Sequence, residues 1–378
     1  MGAYWRETFQ VGSAAVGQTL FFVLATLGVF MFFVGRWQEK FGPAQLAAIG
    51  AVFCGAGTLL LGYASSIVYV YVWAFMMGVS SSCIYIPALT VAQRWYPQKR
   101  GLVSGLVNLV FGLSAALLSP IYAQLLNYLT YNQITIILGL IALICGLAVA
   151  PFVRFPETTA PPEPETSHTA GAPDGDLTVS EGLRTAAFWF LWLTWAFTGA
   201  AGIAMIPLST SFGLSKGLSA GQAVMILTAF NLTSGLSRLA SGYLSDIIGR
   251  NVTMSMAFLA AGCAYFLMPH LEGLAVWCLL AAAVGCAFGT LFSVSAPLAS
   301  DCFGLTHFGA IFGLVFTAYG FVSGPLGPWL SGVILDASGG NFKLVFCYLG
   351  SLCVISTIFI WFTRPPARAP HNSPLTIP

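Results

Sequence analysis

One arginine stands apart from the other charged residues because it lies inside a long apolar run. Arg238 precedes Asp246, the acidic residue that ends this run, by eight residues, and eight helical residues span about 12 Å. That depth places the guanidinium near the middle of a membrane helix, where an arginine costs at least about 2.5–3.5 kcal/mol. Arginine stays protonated, so the chemistry it offers is anion binding, and a carboxylate can accept a bidentate pair of its hydrogen bonds.

The anion that balances Arg238 is not evident in the sequence. All twelve Asp and Glu residues lie in polar segments or at the ends of apolar runs. The simplest interpretation is that a bound carboxylate supplies the negative charge. The alternative is an arginine that extends to the membrane interface, or that pairs with a distant loop acid such as Asp301.

The composition indicates that membrane helices position this arginine. Of 378 residues, 57% are hydrophobic and 7% are charged, with 14 Lys and Arg and 12 Asp and Glu. A soluble domain carries about a quarter charged residues, so most of this surface faces something other than water. This excludes an ordinary soluble enzyme, a nucleic-acid-binding protein and a disordered chain. The net charge of +2 is too small to indicate an electrostatic partner.

Apolar runs of the length that crosses a bilayer, about 20 residues, predict an all-α protein with eleven membrane spans. The predicted spans are 11–35, 45–66, 68–92, 102–126, 133–153, 186–212, 221–244, 252–269, 272–297, 308–334 and 343–363.

Four regions follow from this pattern. We predict an N-terminal helical bundle over 1–153, a flexible linker over 154–184, a C-terminal six-helix bundle over 185–364 and a tail over 365–378. The linker is rich in proline and acidic residues and cannot bury a core. Ten Lys and Arg residues fall on the linker side and three on the other, which predicts a multi-pass protein of the plasma (inner) membrane with a cytoplasmic linker and C-terminus.

An internal repeat relates the two bundles. One glycine and proline pattern occurs twice at an offset of 208, as Gly101, Gly105, Gly112 and Pro120 and again as Gly309, Gly313, Gly320 and Pro328. The loop 35–42 recurs as 242–249 at an offset of 207, each with a G-x-x-x-acid-x-x-G pattern. Two like halves with a substrate site between them are a common plan of transporters.

The repeat leaves the first half one helix short. The second half begins a helix near Ala186, whose counterpart would start before Met1. We therefore expect that the first of twelve helices is missing here, through truncation or a misassigned start. The alternative is a protein of eleven helices.

The cysteines do not indicate a metal site or disulfides. All nine lie in or beside apolar runs, without a CxxC or HxxxH spacing. Small packing residues with reduced thiols are the expected role, and we expect no cofactor.

Two segments resemble a known family. Residues 242–250, GYLSDIIGR, resemble the characteristic cytoplasmic loop of the major facilitator superfamily, and 35–43 is a looser version. Residues 94–102, RWYPQKRGL, followed by Ser104 and Gly105, resemble the monocarboxylate transporters and the bacterial oxalate:formate antiporter. The resemblance implies the major facilitator fold of two six-helix bundles. It also implies a gating role for the loop residues Gly35, Glu39, Gly42, Gly242, Asp246, Gly249 and Arg250.

The same resemblance implies a substrate site around Arg238, since both related transporter types have a substrate-binding arginine at this place. Tyr85 matches an aromatic site position of the oxalate:formate antiporter, with simple helix packing as the alternative. Tyr319 stands where that relative has a second cation, a lysine, and a single fixed cation suits a monoanion. Phe111 and Phe288 occupy other aromatic positions and could form an apolar wall, while Asn108 is a further polar contact.

These features predict a secondary active transporter for short-chain monocarboxylates such as lactate or pyruvate, coupled to protons. Ser234 stands where the animal monocarboxylate transporters have an aspartate, so exchange of one organic anion for another stays open. A non-transporting membrane sensor is a third hypothesis, although the sequence shows no output domain. No motif for enzyme chemistry is present. The expected partners are the anion, a proton and the lipid bilayer, with no nucleic acid and a monomeric state.

Overall fold

The computed structural model describes residues 2–11, 13–126, 128–156 and 176–366, and these residues form helices and no strands. The N-terminal half contains α1 (Gly2–Phe9), α2 (Ser13–Phe41), α3 (Pro43–Gly62), α4 (Ile67–Trp95), α5 (Arg100–Leu125) and α6 (Tyr131–Val149). After it come α7 (Val179–Leu183), α8 (Ala186–Ser215), α9 (Ala220–Ile248), α10 (Arg250–Leu267), α11 (Leu274–Phe303), α12 (Phe308–Thr317), α13 (Leu330–Ala337) and α14 (Phe342–Phe362).

Nine helical segments in the described part of the chain are long and apolar enough to cross a membrane. They correspond to α2, α3, α4, α6, α8, α9, α11, α14 and the continuous segment from α12 to α13. The helices α5 and α10, of 26 and 18 residues, cover two further predicted runs but are not among the nine. The eleven-span count and the missing first helix therefore stay predictions.

Equivalent glycines end α2 and α9. Gly42 and Gly249 have φ values of 79° and 95°, a region that glycine enters without steric cost. Pro43 follows Gly42 as the first residue of α3, where its fixed φ suits a helix start and its missing N–H is not needed. The two loops of the repeat thus turn the chain in the same way, and we call the end of the bundle that carries them the loop end.

The segment after α12 departs from α-helical geometry. Two π-helical segments, Ala318–Ser323 and Pro325–Trp329, connect α12 to α13. Pro325 and Pro328 have no N–H for the helical ladder, which favours such a local change. Ser323 Oγ donates a hydrogen bond to the Trp195 carbonyl at 3.0 Å and so fixes the first π segment to α8. Wide turns of this kind often occur at functional sites.

The halves meet along two equivalent helix pairs, α5 with α9 and α2 with α12. At the loop end of each pair the backbones touch through glycine. A Cβ at Gly101 would overlap the Gly242 carbonyl, and a Cβ at Gly35 would overlap the Gly309 carbonyl. Small residues allow helices in a membrane to approach this closely.

The next contacts along each pair are also equivalent. Gly105 lies against the backbone of Arg238, and a Cβ at Gly313 would lie 2.6 Å from the Met31 carbonyl carbon. Met31 precedes Arg238 by the repeat offset of 207. The repeat seen in the sequence therefore corresponds to a repeated packing arrangement, with the charge present in only one copy.

Part of the predicted linker contacts the bundle. The sequence predicts a flexible linker over 154–184, and within this range the structure describes residues 154–156 and 176–184, the latter including α7. Asp176 accepts a hydrogen bond from the Leu305 N–H at 3.0 Å, and the Leu177 N–H donates to the Phe303 carbonyl at 3.0 Å. Linker residues 157–175 and tail residues 367–378 lie outside the described residues, so the expectations for them stay untested.

Candidate functional site

Several predicted site residues lie at one depth in the bundle. Tyr85 and Arg238 are ten residues from the loop ends of α4 and α9, and Tyr319 is eleven residues beyond the start of α12. At about 1.5 Å per helical residue these positions are about 15 Å from the loop end. The helices of both halves therefore bring these side chains to one level inside the bundle.

The guanidinium of Arg238 contacts both halves of the protein. Its Nη1 donates a hydrogen bond to the main-chain carbonyl of Asn108 on α5, at 2.9 Å. Its Cζ lies 4.8 Å from the ring centroid of Phe292 on α11, a cation–π distance. The Nε atom is buried and has no hydrogen-bond partner among the described residues.

Arg238 makes no ion pair within the described part of the chain. Asp301, the loop acid considered as its partner, instead pairs with Arg100 at 3.2 Å and with Arg250 at 3.1 Å. The guanidinium also does not extend to the loop end, because it binds Asn108 and Phe292 at its own depth. Neither of the two alternatives considered for Arg238 is therefore seen among the described residues.

Gly112 provides the space that the guanidinium occupies. A Cβ at this position would lie 2.8 Å from Nη1 of Arg238 and 3.0 Å from its Cζ. Ordinary van der Waals separations are greater, so the arginine could not keep this position beside any larger residue. Gly112 therefore positions Arg238 in addition to its place in the repeat.

Asn108 and Tyr85 form a buried pair. The Tyr85 hydroxyl donates to Asn108 Oδ1 at 2.8 Å, and Asn108 Nδ2 donates to the Ser104 carbonyl at 2.9 Å. Asn108 is fully buried, so in this conformation its amide holds Tyr85 and leaves Arg238 to the main-chain carbonyl. The Tyr85 ring packs edge-on against Phe111, with centroids 5.1 Å apart.

Aromatic rings form the wall beside Arg238. Tyr319 packs against Phe292 and Phe316, with centroids 5.4 and 5.3 Å apart. Phe288 lies 5.2 Å from Phe292 and 6.5 Å from Tyr319. Phe111 is exposed on the opposite half. The arrangement combines one cation with an apolar, largely aromatic lining.

Phe292 and Trp195 were not predicted as residues of the site. The role of Gly112 in positioning Arg238 was not predicted either. Trp195 is fully buried and packs against Phe292 and Phe316, with centroids 4.9 and 4.5 Å apart. Phe292 lies one helical turn after Phe288, which was the available signal for it. Nothing in the sequence distinguishes Trp195 from the other tryptophans.

The loop of the C-terminal half joins the first residues of α5. Asp246 accepts hydrogen bonds from the N–H groups of Gly101 and Leu102 at 2.9 and 2.8 Å. A carboxylate at a helix N-terminus is stabilised by the unpaired N–H groups and the helix dipole. Arg250 pairs with both Asp246 and Asp301, so this loop is tied to both halves.

The loop of the N-terminal half makes different contacts. Glu39 pairs with Arg94 at 3.1 Å, and Arg94 donates to the Leu305 carbonyl at 2.9 Å. The amides just before α12 are bound by Asp176, which comes from the linker. The loop end is therefore closed by two non-equivalent sets of contacts.

The contacts of Asp176 at this position change the pKa of its carboxyl. Burial by itself raises the pKa of its carboxyl, but hydrogen bonds from Thr306 and Leu305, together with the charge of Arg94, outweigh that effect and lower the pKa. Since the folded-state pKa is lowered, the contact stabilises the folded protein fully above the ordinary carboxyl pKa, and this contribution is lost as the pH falls from there through the lowered value.

The described residues contain no group of three or more His, Cys, Asp or Glu side chains that could hold a metal ion. All nine cysteines are free. The groups that the site brings together are a guanidinium, two tyrosines, an indole and further aromatic rings, which can bind a ligand through charge, hydrogen bonds and ring contacts.

Comparisons with known proteins find a matching family model and similar proteins. The family model of the Major Facilitator Superfamily matches residues 1–228 and 203–376. The chain is 28% identical over 286 residues to the oxalate:formate antiporter of Oxalobacter formigenes, covering 75% of this chain and 67% of that protein. It is also 28% identical over 345 residues to human monocarboxylate transporter 11, covering 87% and 70%.

Solved structures show the same fold. The Escherichia coli fucose:proton symporter FucP superimposes with a TM-score of 0.65 at 16% identity, covering 93% of this chain and 90% of that one. A FucP structure in the outward conformation gives 0.65 at 15% identity, covering 96% and 92%. These findings confirm the resemblance indicated by the two sequence segments. The chain belongs to the Major Facilitator Superfamily.

Proposed function

We propose that the protein is a secondary active transporter that moves short-chain monocarboxylates, such as lactate or pyruvate, by alternating access. The observation that carries this proposal is Arg238. Its charge lies between the halves at mid-bundle depth and has no ion-pair partner among the described residues. A carboxylate that enters this space would supply the missing charge through charge-assisted hydrogen bonds.

The number of fixed charges supports a monoanion. Tyr319 stands beside the site in place of a second cation, and the described spans contain no other central cation. A dianion would leave one buried carboxylate unpaired, at a cost of several kcal/mol. The aromatic wall suits a short apolar body behind the carboxylate.

The contacts at the loop end suggest how access alternates. Both loops and linker residues 176–184 lie there, and we propose from the charge distribution that this end faces the cytoplasm of a plasma (inner) membrane. Closure through Gly101, Asp246 and Arg94 then blocks the cytoplasmic path. Opening requires these contacts to separate while the halves rock around the site.

Arg238 supplies the direct test. We expect Arg238→Ala to abolish uptake of lactate or pyruvate into proteoliposomes, because the carboxylate loses its counter-charge. Arg238→Lys should be largely defective, since an ammonium group does not reproduce the planar pair of donors. Initial uptake rates at several substrate concentrations provide the measurement.

A matched control separates this effect from a general loss of charge. Arg364 is exposed just beyond α14, and Arg364→Ala should transport at the wild-type rate. Both variants should keep the wild-type thermal unfolding midpoint within a few degrees. Normal uptake by Arg238→Ala would refute the proposed site.

Anion exchange is the second candidate, favoured by the similarity to an oxalate:formate antiporter. Ser234, at the position discussed for proton coupling, is an uncharged buried residue on α9. An exchanger needs internal counter-substrate and ignores an imposed pH gradient. A proton symporter accumulates substrate in empty liposomes when the pH gradient is imposed, so one uptake assay with both conditions decides between them.

A further inference from the structure

Two buried donors at the depth of the site have no hydrogen-bond partner in the part of the chain that the structure describes. They are Nε of Arg238 and Nε1 of Trp195. Both guanidinium and indole groups can donate hydrogen bonds but cannot accept them. The other unpartnered groups of this kind in the described residues, Arg100 Nε and Trp73 Nε1, lie nearer to helix ends.

Trp195 belongs to the same site as Arg238. It lies nine residues from the loop end of α8, about 14 Å along the helix, which is close to the depth of Arg238. The indole ring contacts Phe292 and Tyr319, with centroids 4.9 and 5.6 Å apart. Phe292 is also the ring that contacts the guanidinium, so both donors border one aromatic residue.

An unpaired buried donor is unfavourable by about 1–3 kcal/mol and calls for an explanation. Thr198 and Ser295 also have unpartnered buried hydroxyls, but a hydroxyl both donates and accepts and so does not specify a ligand. A donor without acceptor capacity requires an acceptor, so a single ligand that satisfied both donors would have to bear at least two acceptor atoms.

One donor is charged and the other is neutral, and this difference suggests which ligand oxygen each of them binds. The guanidinium suits the ionised carboxylate, whereas the single neutral N–H of Trp195 suits a neutral oxygen. We propose, resting on the transport function proposed above, that Trp195 donates its indole N–H to the oxygen on the second carbon of a 2-oxo or 2-hydroxy monocarboxylate whose carboxylate binds Arg238. The site then selects these acids over unsubstituted acids of the same length.

The test compares pyruvate with propanoate, which lacks the second-carbon oxygen, in proteoliposomes at neutral pH where both acids are ionised. The wild type should take up pyruvate with a KM about tenfold lower than that for propanoate, the effect of one neutral hydrogen bond. Trp195→Phe keeps an aromatic ring and removes the N–H. Its two KM values should be equal within about twofold.

Trp192→Phe is the matched control. Trp192 is one turn away on α8, and its Nε1 already donates to Thr317 Oγ1 at 3.0 Å. This variant loses an internal hydrogen bond, so its unfolding midpoint without ligand should fall while its preference for pyruvate remains. Trp195→Phe should show the opposite pattern, with an unchanged midpoint without ligand and a smaller midpoint increase on adding pyruvate.

The outcomes separate this inference from the proposed function. Equal wild-type KM values for the two acids, or a parallel rise of both in Trp195→Phe, would overturn the role of Trp195 and leave monocarboxylate transport standing. A wild type that transports neither acid would overturn the proposed function and this inference with it. Loss of the preference in Trp195→Phe alone supports the assignment.

Discussion

Arg238 is held by groups from both halves, although no residue in the described ranges provides it with a counter-charge. The Asn108 carbonyl, from one half, accepts a hydrogen bond, and the Phe292 ring, from the other, contacts the guanidinium. These contacts partly offset the loss of hydration and orient the group without neutralising it. An anion that enters the site meets a cation whose position is already fixed.

Gly112 gives a prediction at the residue scale. We expect Gly112→Ala to raise the substrate KM about tenfold, because the added methyl group displaces the guanidinium and weakens its hydrogen bond to Asn108, a loss of about 1.5 kcal/mol. The maximum rate should change less. Uptake kinetics for pyruvate in proteoliposomes provide the measurement.

Gly332→Ala is the control for this substitution. Gly332 lies inside α13, and nothing stands within 4 Å of a Cβ placed there. Alanine favours a helix by about 1 kcal/mol over glycine, so this variant should be at least as stable as the wild type and equally active. An unchanged KM in Gly112→Ala would mean that the guanidinium does not need the space beside Gly112.

Some residues of the candidate site could be predicted from the sequence, and others could not. Arg238 could be predicted because a charge stands out in an apolar run. Trp195 could not, since a helix buried on most sides shows no contrast between its faces, and the one signal for Phe292 was its spacing of one turn from Phe288. The pair of Tyr85 and Asn108 depends on how α4 packs against α5, which local sequence does not encode.

At the scale of elements, glycines determine how closely the two halves can approach. The α5–α9 and α2–α12 pairs touch through backbone at corresponding positions. Helices in a membrane gain little from burying apolar surface against each other, because lipid is equally apolar, so close packing carries much of their association. The closed loop end is therefore sensitive to a single methyl group.

Gly242 tests this dependence. We expect Gly242→Ala to reduce transport at least tenfold, because its Cβ would overlap the Gly101 carbonyl and prevent closure of the loop end. Hydrogen exchange of the Gly101 and Leu102 amides, which donate to Asp246, should become faster. Uptake together with exchange mass spectrometry covers both expectations.

Gly221→Ala, on the same helix, is the comparison. A Cβ at Gly221 meets nothing within 4 Å, so its transport and exchange should match those of the wild type. Should Gly242→Ala transport normally with unchanged exchange, backbone contact between α5 and α9 would not be needed for the cycle.

The elements themselves were predicted to a large extent. Long apolar runs determine helix positions in a membrane protein because the backbone must satisfy its own hydrogen bonds. Ten of the eleven predicted runs overlap one α-helix each, and the run 308–334 covers α12, the two π segments and part of α13. The π segments around Tyr319 and the contact of Asp176 with the loop before α12 were not predicted. Both depend on contacts between distant parts of the chain.

Across the whole molecule, the two halves repeat the same helix packing but differ in the charge inside one helix. Met31 and Arg238 occupy corresponding positions, and the loop acids Glu39 and Asp246 have different partners. The helix packing that joins the halves is thus repeated, whereas the charge inside the helix is not. The repeat predicted the first property, and the departure from the repeat indicated the second.

The position of Arg238 also gives the proposed transport cycle an expected dependence on membrane voltage. In that cycle the empty carrier holds one positive charge inside the bilayer, and binding of a monoanion would neutralise it. Voltage can act on the empty form by up to about 2.3 kcal/mol per elementary charge at 100 mV. Net uptake, in which the carrier returns empty, should therefore change several-fold with a potassium diffusion potential. The rate of proton-free exchange of one monoanion for another should not change with this potential. Equal voltage dependence of net uptake and exchange would contradict a neutral loaded state.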